Sequence, residues 1–303
     1  MKDINMNAPA PSSPSQAPAW VFFMPPVFVL LWSTGFIGSK FGLPYAEPFT
    51  FLSLRFAIAG TTISLIALYV RAPWPRTFVE IRDAVIVGVL LHGIYLGGVF
   101  LGISLGTGAG ISAVITGLQP LLTAALAIPF LGSRVTKRQV IGLVLGFSGL
   151  VMVVWTGQGG GPWGGIVSCI SALLGITIAT LYQKKFGSGR DLRTSLAVQL
   201  IAAFLILSPL ALIFESGEVI WSNEFIFALL WLALPMSIGT FSLLQVMIRW
   251  GAIEKVTSLF YLVPPVVVIE SWFLFGETLN MRQGAGMLFA TLGVALVAAR
   301  IKP

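Results

Sequence analysis

The side chains with chemical potential in this chain lie where the sequence makes them expensive. Arg55, His92, Gln119, Gln245 and Glu270 each fall inside a long apolar run. An ionisable or amide group in such surroundings needs a partner or a role. His92 is the only histidine among the 303 residues, and Tyr95 follows it by three positions, on the same face of a helix. Imidazole, phenol and the Gln119 amide together would make a polar, partly aromatic lining. Such a lining suits a zwitterionic or amphipathic solute better than an inorganic ion. Trp32 and Tyr261 also lie inside apolar runs, where their polar tips call for an inward face. No nucleophile–base pair, HExxH or phosphate-binding glycine loop occurs, and there is no clustered metal-ligand set. No enzyme chemistry, cofactor or metal is therefore expected.

Each of these residues also has a purely structural reading. Arg55, about 10 Å inside its run at 1.5 Å per residue, would snorkel outward, meet a helix C-terminus or bind a substrate carboxylate. Glu270 would stay protonated, pair with Arg55 or His92, or face a wet vestibule. Pro120 and the Pro264–Pro265 pair interrupt two apolar runs at equivalent places. A proline removes an intrahelical hydrogen bond and frees carbonyls, so these breaks are either packing kinks or markers of a mid-depth site. Arg55, Glu270 and the three prolines are taken as gating or structural residues. Trp163 opens a run and reads either as an interfacial belt residue or as the counterpart of Trp32. Cys169, the single cysteine, is a small packing residue.

The elements that position these groups follow from composition. The chain is 56% hydrophobic and 10% charged, whereas soluble domains are about 25% charged. Ten apolar runs of membrane-crossing length fall near 21–41, 48–70, 84–105, 110–131, 136–156, 163–183, 194–214, 224–249, 256–276 and 282–300. In lipid they must be helices, because no water satisfies an open backbone. Residues 1–19, rich in Pro, Ser and Ala, read as a disordered tail without a cleavage signal. The glycine-rich stretch 157–162 separates a first five-helix unit, 20–156, from a second, 163–303.

The units are related in sequence. Residues 111–154 align loosely with 256–298, matching Pro120 with Pro265, Gly142 with Gly286 and Gly149 with Gly293. With the N-terminus inside, 15 of the 18 Lys and Arg fall on the inner face and two on the outer. This bias puts both termini in the cytoplasm. Five spans per unit is an odd number, so the second unit is expected upside down relative to the first. The expected fold is an all-α polytopic membrane protein of ten helices in two inverted repeats.

The residues resemble the drug/metabolite transporter superfamily in its ten-helix, EamA-type branch. The resemblance runs over about 28–300. Trp32, Lys40, Gly42, Pro48 and Arg55 follow the family's opening pattern, and 112–150 and 264–286 resemble its fourth–fifth and ninth–tenth helices. Gly276–Glu277 fits the family's Gly-Glu pair, and Gly132–Ser133 departs from it. The chain is most similar to bacterial exporters of aromatic and other amino acids. This implies a secondary transporter of the bacterial inner membrane working by alternating access. Its partners would be a small metabolite and the lipid bilayer, without nucleic acid and without a required oligomer. His92, Tyr95, Gln119, Trp32, Trp163, Tyr261 and Gln245 are the expected substrate-binding residues. With no second acidic residue at midplane to relay a proton from His92 or Glu270, facilitated transport is expected ahead of proton-coupled antiport. A cation-drug antiporter would be expected to hold an acid in its first span, and this span has none.

Overall fold

The structure, a computed structural model, describes residues 23–131, 136–154, 163–186, 190–240, 243 and 262–298. The tail at 1–19, the 157–162 connection, Gln245 and Tyr261 lie outside the described residues.

Every predicted span carries a helix. These are α1 (Met24–Gly42), α2 (Pro48–Tyr69), α3 (Phe78–Ser104), α4 (Ala109–Thr116), α5 (Gln119–Leu131), α6 (Lys137–Val154), α7 (Trp163–Phe186), α8 (Leu192–Phe214), α9 (Asn223–Gly239), α10 (Val263–Phe275) and α11 (Met281–Ala298). Six helices among the described residues are long and apolar enough to cross a bilayer, with shorter apolar helices beside them. The protein is a helical, multi-pass membrane protein. The only β pairing among the described residues is an isolated antiparallel bridge, Ala46 to Val219.

Local chemistry sets the helix starts. Pro48 sits in the first turn of α2, where its missing N–H has no helical partner to lose. Thr77 and Glu80 form a capping box at the start of α3. Asp191 caps α8 and Ser222 caps α9 through their side chains. The fourth predicted span is divided between α4 and α5 at Gly117–Leu118, and Pro120 falls in the first turn of α5. Pro264 falls in the first turn of α10. The prolines therefore start helices rather than kink them. The two breaks also meet, since a Cβ on Gly117 would lie 2.5 Å from Pro264 Cγ.

Two helices widen. Residues Val89–Leu96 of α3 and Leu232–Gly239 of α9 are π-helical. In α9 hydroxyls five residues on donate back to carbonyls: Ser237 Oγ to Leu232 O at 2.9 Å and Thr240 Oγ1 to Pro235 O at 3.3 Å, the latter oxygen also accepting from the Thr240 N–H. The sequence reading contained no such turns.

Polar groups tie the loops at both ends. At the end where α1 passes to α2, Glu277 pairs with Lys40 and accepts from the Ala109 and Gly110 N–H groups at the start of α4. There too, Glu215 accepts from the Phe49 and Thr50 N–H groups at 2.8 and 2.7 Å. At the opposite end Asp83, 2% exposed, gathers Arg82, Arg190 and the Tyr182 hydroxyl.

Candidate functional site

The wide turns of α3 and α9 face a common space. A cavity of about 370 Å³ lies between α1, α2, α3, α7, α8 and α9, within the usual range for a small-molecule site. Trp32 and Phe36 enter from α1, Arg55 from α2, His92 and Tyr95 from α3, and Ser237 from α9. The lining also reaches Gln183 near the end of α7 and Leu192 at the start of α8. The cavity thus runs from mid-depth toward the α7–α8 end. At the other end Phe51, Phe100 and Phe225, each at most 1% exposed, pack edge to face and tilted at 5.3 and 5.1 Å.

Arg55 is the strongest charge in the lining and is only 4% exposed. Its Nε and Nη2 donate to a single acceptor, Ser237 Oγ, at 3.3 and 3.2 Å. Its Cζ lies 5.8 Å from the centre of the Phe56 ring. His92 packs against the same ring at 5.7 Å. Neither His92 nitrogen makes a hydrogen bond of full geometry, although the Gln199 side chain stands beside it. The Trp32 indole meets the Tyr95 hydroxyl across the cavity wall. His92 and Tyr95, both within the π segment, lie in the lining.

The remaining expected residues sit elsewhere. Gln119 is not part of this lining: its Nε2 donates to Thr123 at 3.2 Å and to Thr180 on α7 at 3.1 Å. Trp163 is 72% exposed at the start of α7, the position of a belt residue. Glu270 pairs with neither Arg55 nor His92. One of its oxygens accepts from Ser33 of α1 at 2.8 Å, and the other has no partner among the described residues. Ser33 adjoins Trp32, so α1 turns one residue to the cavity and the next to α10. Pro120, Pro264 and Pro265 lie outside the lining.

Arg55 neither snorkels nor meets a helix end. Its guanidinium is held over the cavity by Ser237 and lies beside the Phe56 ring. Sequence reasoning missed Gln199, Ser237 and Gln183. Gln199 carried a usable signal, an amide within an apolar run. Ser237 carried a weaker one, standing two residues after Pro235.

Comparisons with known proteins agree with this architecture. The EamA-like transporter family matches residues 20–155 and again 163–299. The chain belongs to the EamA-like transporter family. The same family model thus matches the first half of the chain and again the second. Among relatives of this EamA-like transporter is the uncharacterized transporter YvbV of Bacillus subtilis, 26% identical over 90% of each chain. The uncharacterized inner membrane transporter YedA of Escherichia coli K12 is 26% identical, over 88% of this chain and 87% of its own. A probable amino-acid metabolite efflux pump of Salmonella typhimurium is 22% identical over 90% and 92%. One solved crystal structure shares the fold, with a TM-score of 0.61 at 17% identity, covering 92% of this chain and 96% of that one.

Proposed function

We propose that this EamA-like transporter exports amino acids and related small metabolites across the bacterial inner membrane through the cavity lined by Arg55, His92 and Tyr95. The observation that carries the reading is the cavity itself: polar side chains at mid-depth, from both five-helix units, inside an otherwise apolar bundle. Its size admits an amino acid, and its aromatic walls suit an apolar side chain. The Salmonella relative, named for amino-acid metabolite efflux, points the same way.

Direction follows from charge. The α7–α8 end carries Arg76, Arg82, Lys184, Lys185, Arg190 and Arg193. That makes it the cytoplasmic end, with both termini on the same side. The cavity then faces the cytoplasm, the loading side of an exporter, and the aromatic cluster closes the external side. The second unit lies inverted relative to the first. The antiparallel meeting of α6 and α11 through repeat-equivalent glycines supports this arrangement.

Transport runs down the solute gradient. No carboxylate among the described residues lines the cavity to carry a proton, and the cytoplasm makes amino acids at concentrations that drive export. Proteoliposomes with and without an imposed pH gradient test this. The expected result is equal plateaus of labelled amino acid inside and outside under both conditions. Accumulation that an uncoupler and Glu270→Gln both abolish would show proton coupling instead.

A further inference from the structure

Arg55 has a partner shortage that its neighbours do not share. Arg82 and Arg190 each reach Asp83, and Arg193 reaches Asp191. Arg55 is more deeply covered than any of these, yet no carboxylate among the described residues pairs with it. A guanidinium offers five N–H donors. Here two of them share one neutral hydroxyl, which itself donates away to Leu232 O. A buried cation so poorly answered is costly and calls for an anion that arrives and leaves.

The geometry points to Arg55 as the receptor for a carboxylate on the transported molecule, and to a cavity that selects this anionic group rather than an amino group. The inference rests on the cavity being the transport site and adds which half of a zwitterion it reads. The planar fork of a guanidinium matches the two oxygens of a carboxylate. Its contact with the Phe56 ring and its bonds to Ser237 hold the guanidinium in place in advance, so little side-chain freedom is lost on binding. His92 and Tyr95 stand beside it in the lining as hydrogen-bonding groups. One positive charge balances one carboxylate. For an ammonium the described lining offers no carboxylate: its acceptors are uncharged, among them the Ser237 and Thr240 hydroxyls and the amide oxygens of Gln183 and Gln199, with aromatic faces beside them. The nearest acid by sequence logic, Glu270, faces Ser33 on the other side of α1. Molecules that keep the carboxylate and lack the amine should therefore be carried, and amines without the carboxylate should not.

Three probes with one ring separate these features: L-phenylalanine, 3-phenylpropanoate and phenethylamine. Binding to the purified full-length protein is read by thermal shift, and exchange by counterflow in liposomes. The wild type should bind and exchange both carboxylates and ignore phenethylamine. Arg55→Gln should weaken both carboxylates about ten-fold or more and leave its folded yield intact, since it removes a buried charge. Arg55→Lys should retain part of the affinity, keeping the charge without the fork. Phenethylamine bound as tightly as 3-phenylpropanoate would overturn the inference while leaving the cavity as the transport site. So would unchanged carboxylate affinity in Arg55→Gln. If Arg55→Gln failed to fold, the wild-type ratio of acid to amine and the Arg55→Lys affinities would still decide. A wild type that binds and exchanges none of the three would overturn the transport reading as well.

Discussion

The third and fifth helices of the two units have met opposite fates. The fifth pair, α6 and α11, run antiparallel and touch through glycine: a Cβ on Gly149 would lie 2.4 Å from the Gly286 carbonyl oxygen, and one on Gly293 2.6 Å from that of Gly142. The third pair, α3 and α9, widen into π turns and line a cavity. Small residues let backbones approach in lipid, where apolar side chains gain nothing over the surrounding chains. A π turn acts differently: it sets side chains out of the α register, and such turns are frequent at functional sites. One duplication thus supplies a closed seam and an open site, and the difference lies in the turns rather than in hydrophobicity.

The most severe way to break this contrast is to put a side chain in the seam. Gly149→Val should push the helices apart against backbone, costing about 3 kcal/mol or more. The expected readout is loss of monodisperse protein in detergent. Gly93 in the π segment of α3 has no atom within 4 Å of an added Cβ. Gly93→Ala should keep wild-type yield, and equal damage at the two sites would erase the distinction.

Next comes the site itself. Tyr95→Ala removes a phenol that meets Trp32 and lines the cavity. Losing one buried hydrogen bond costs about 1–3 kcal/mol, so counterflow should fall about ten-fold at equal folded yield. Unchanged transport would separate the π turn from function.

These regions were unequally legible in the sequence. The ten helices were readable because each needs about twenty apolar residues and the short connections leave little choice of boundary. The glycines of the seam were readable as the repeat matches Gly142/Gly286 and Gly149/Gly293, though not that α6 and α11 meet through them. His92 and Tyr95 stood out because a polar group in an apolar run is rare. The π turns left no composition signal: VLLHGIYL is as apolar as its α-helical neighbours. Gln119 stood out as well, but an amide in a span implies a partner without saying which. Its partners are two threonines, Thr123 and Thr180. The weight of Arg55 was also hidden, since its missing counter-ion is a fact of three-dimensional packing.

A smaller effect tests the end opposite the cavity mouth. Burial pushes the Glu277 carboxyl up, but Lys40 and the Gly110 and Ala109 N–H groups outweigh it and hold it below the ordinary value of 4.5. A depressed carboxyl stabilises the fold fully above its unfolded value, and that contribution is lost as pH falls through the folded one. Melting temperature should therefore drop more steeply for wild type than for Glu277→Gln as pH falls below about 4.5. At neutral pH the variant should be the less stable by on the order of 1 kcal/mol. Parallel curves would mean that the tie between α10, α1 and α4 contributes nothing.

The smallest expected effect concerns Gln119. Its amide bridges α5 to α7 through Thr180 and lies outside the lining. Hydrogen bonds between helices in a membrane contribute about 0.6 kcal/mol on average, because the separated helices find other partners. Gln119→Ala should thus lower melting temperature slightly and leave counterflow within about two-fold of wild type. Thr180→Val, which removes the same bridge from the other side, should do the same, and the double variant should add little, since both changes break one bond. If Gln119→Ala instead cut transport as deeply as Tyr95→Ala while Thr180→Val did not, the amide would be reaching solute in a state where the α4–α5 break has moved. The contrast between a quiet proline break and an active π turn would then have to be given up.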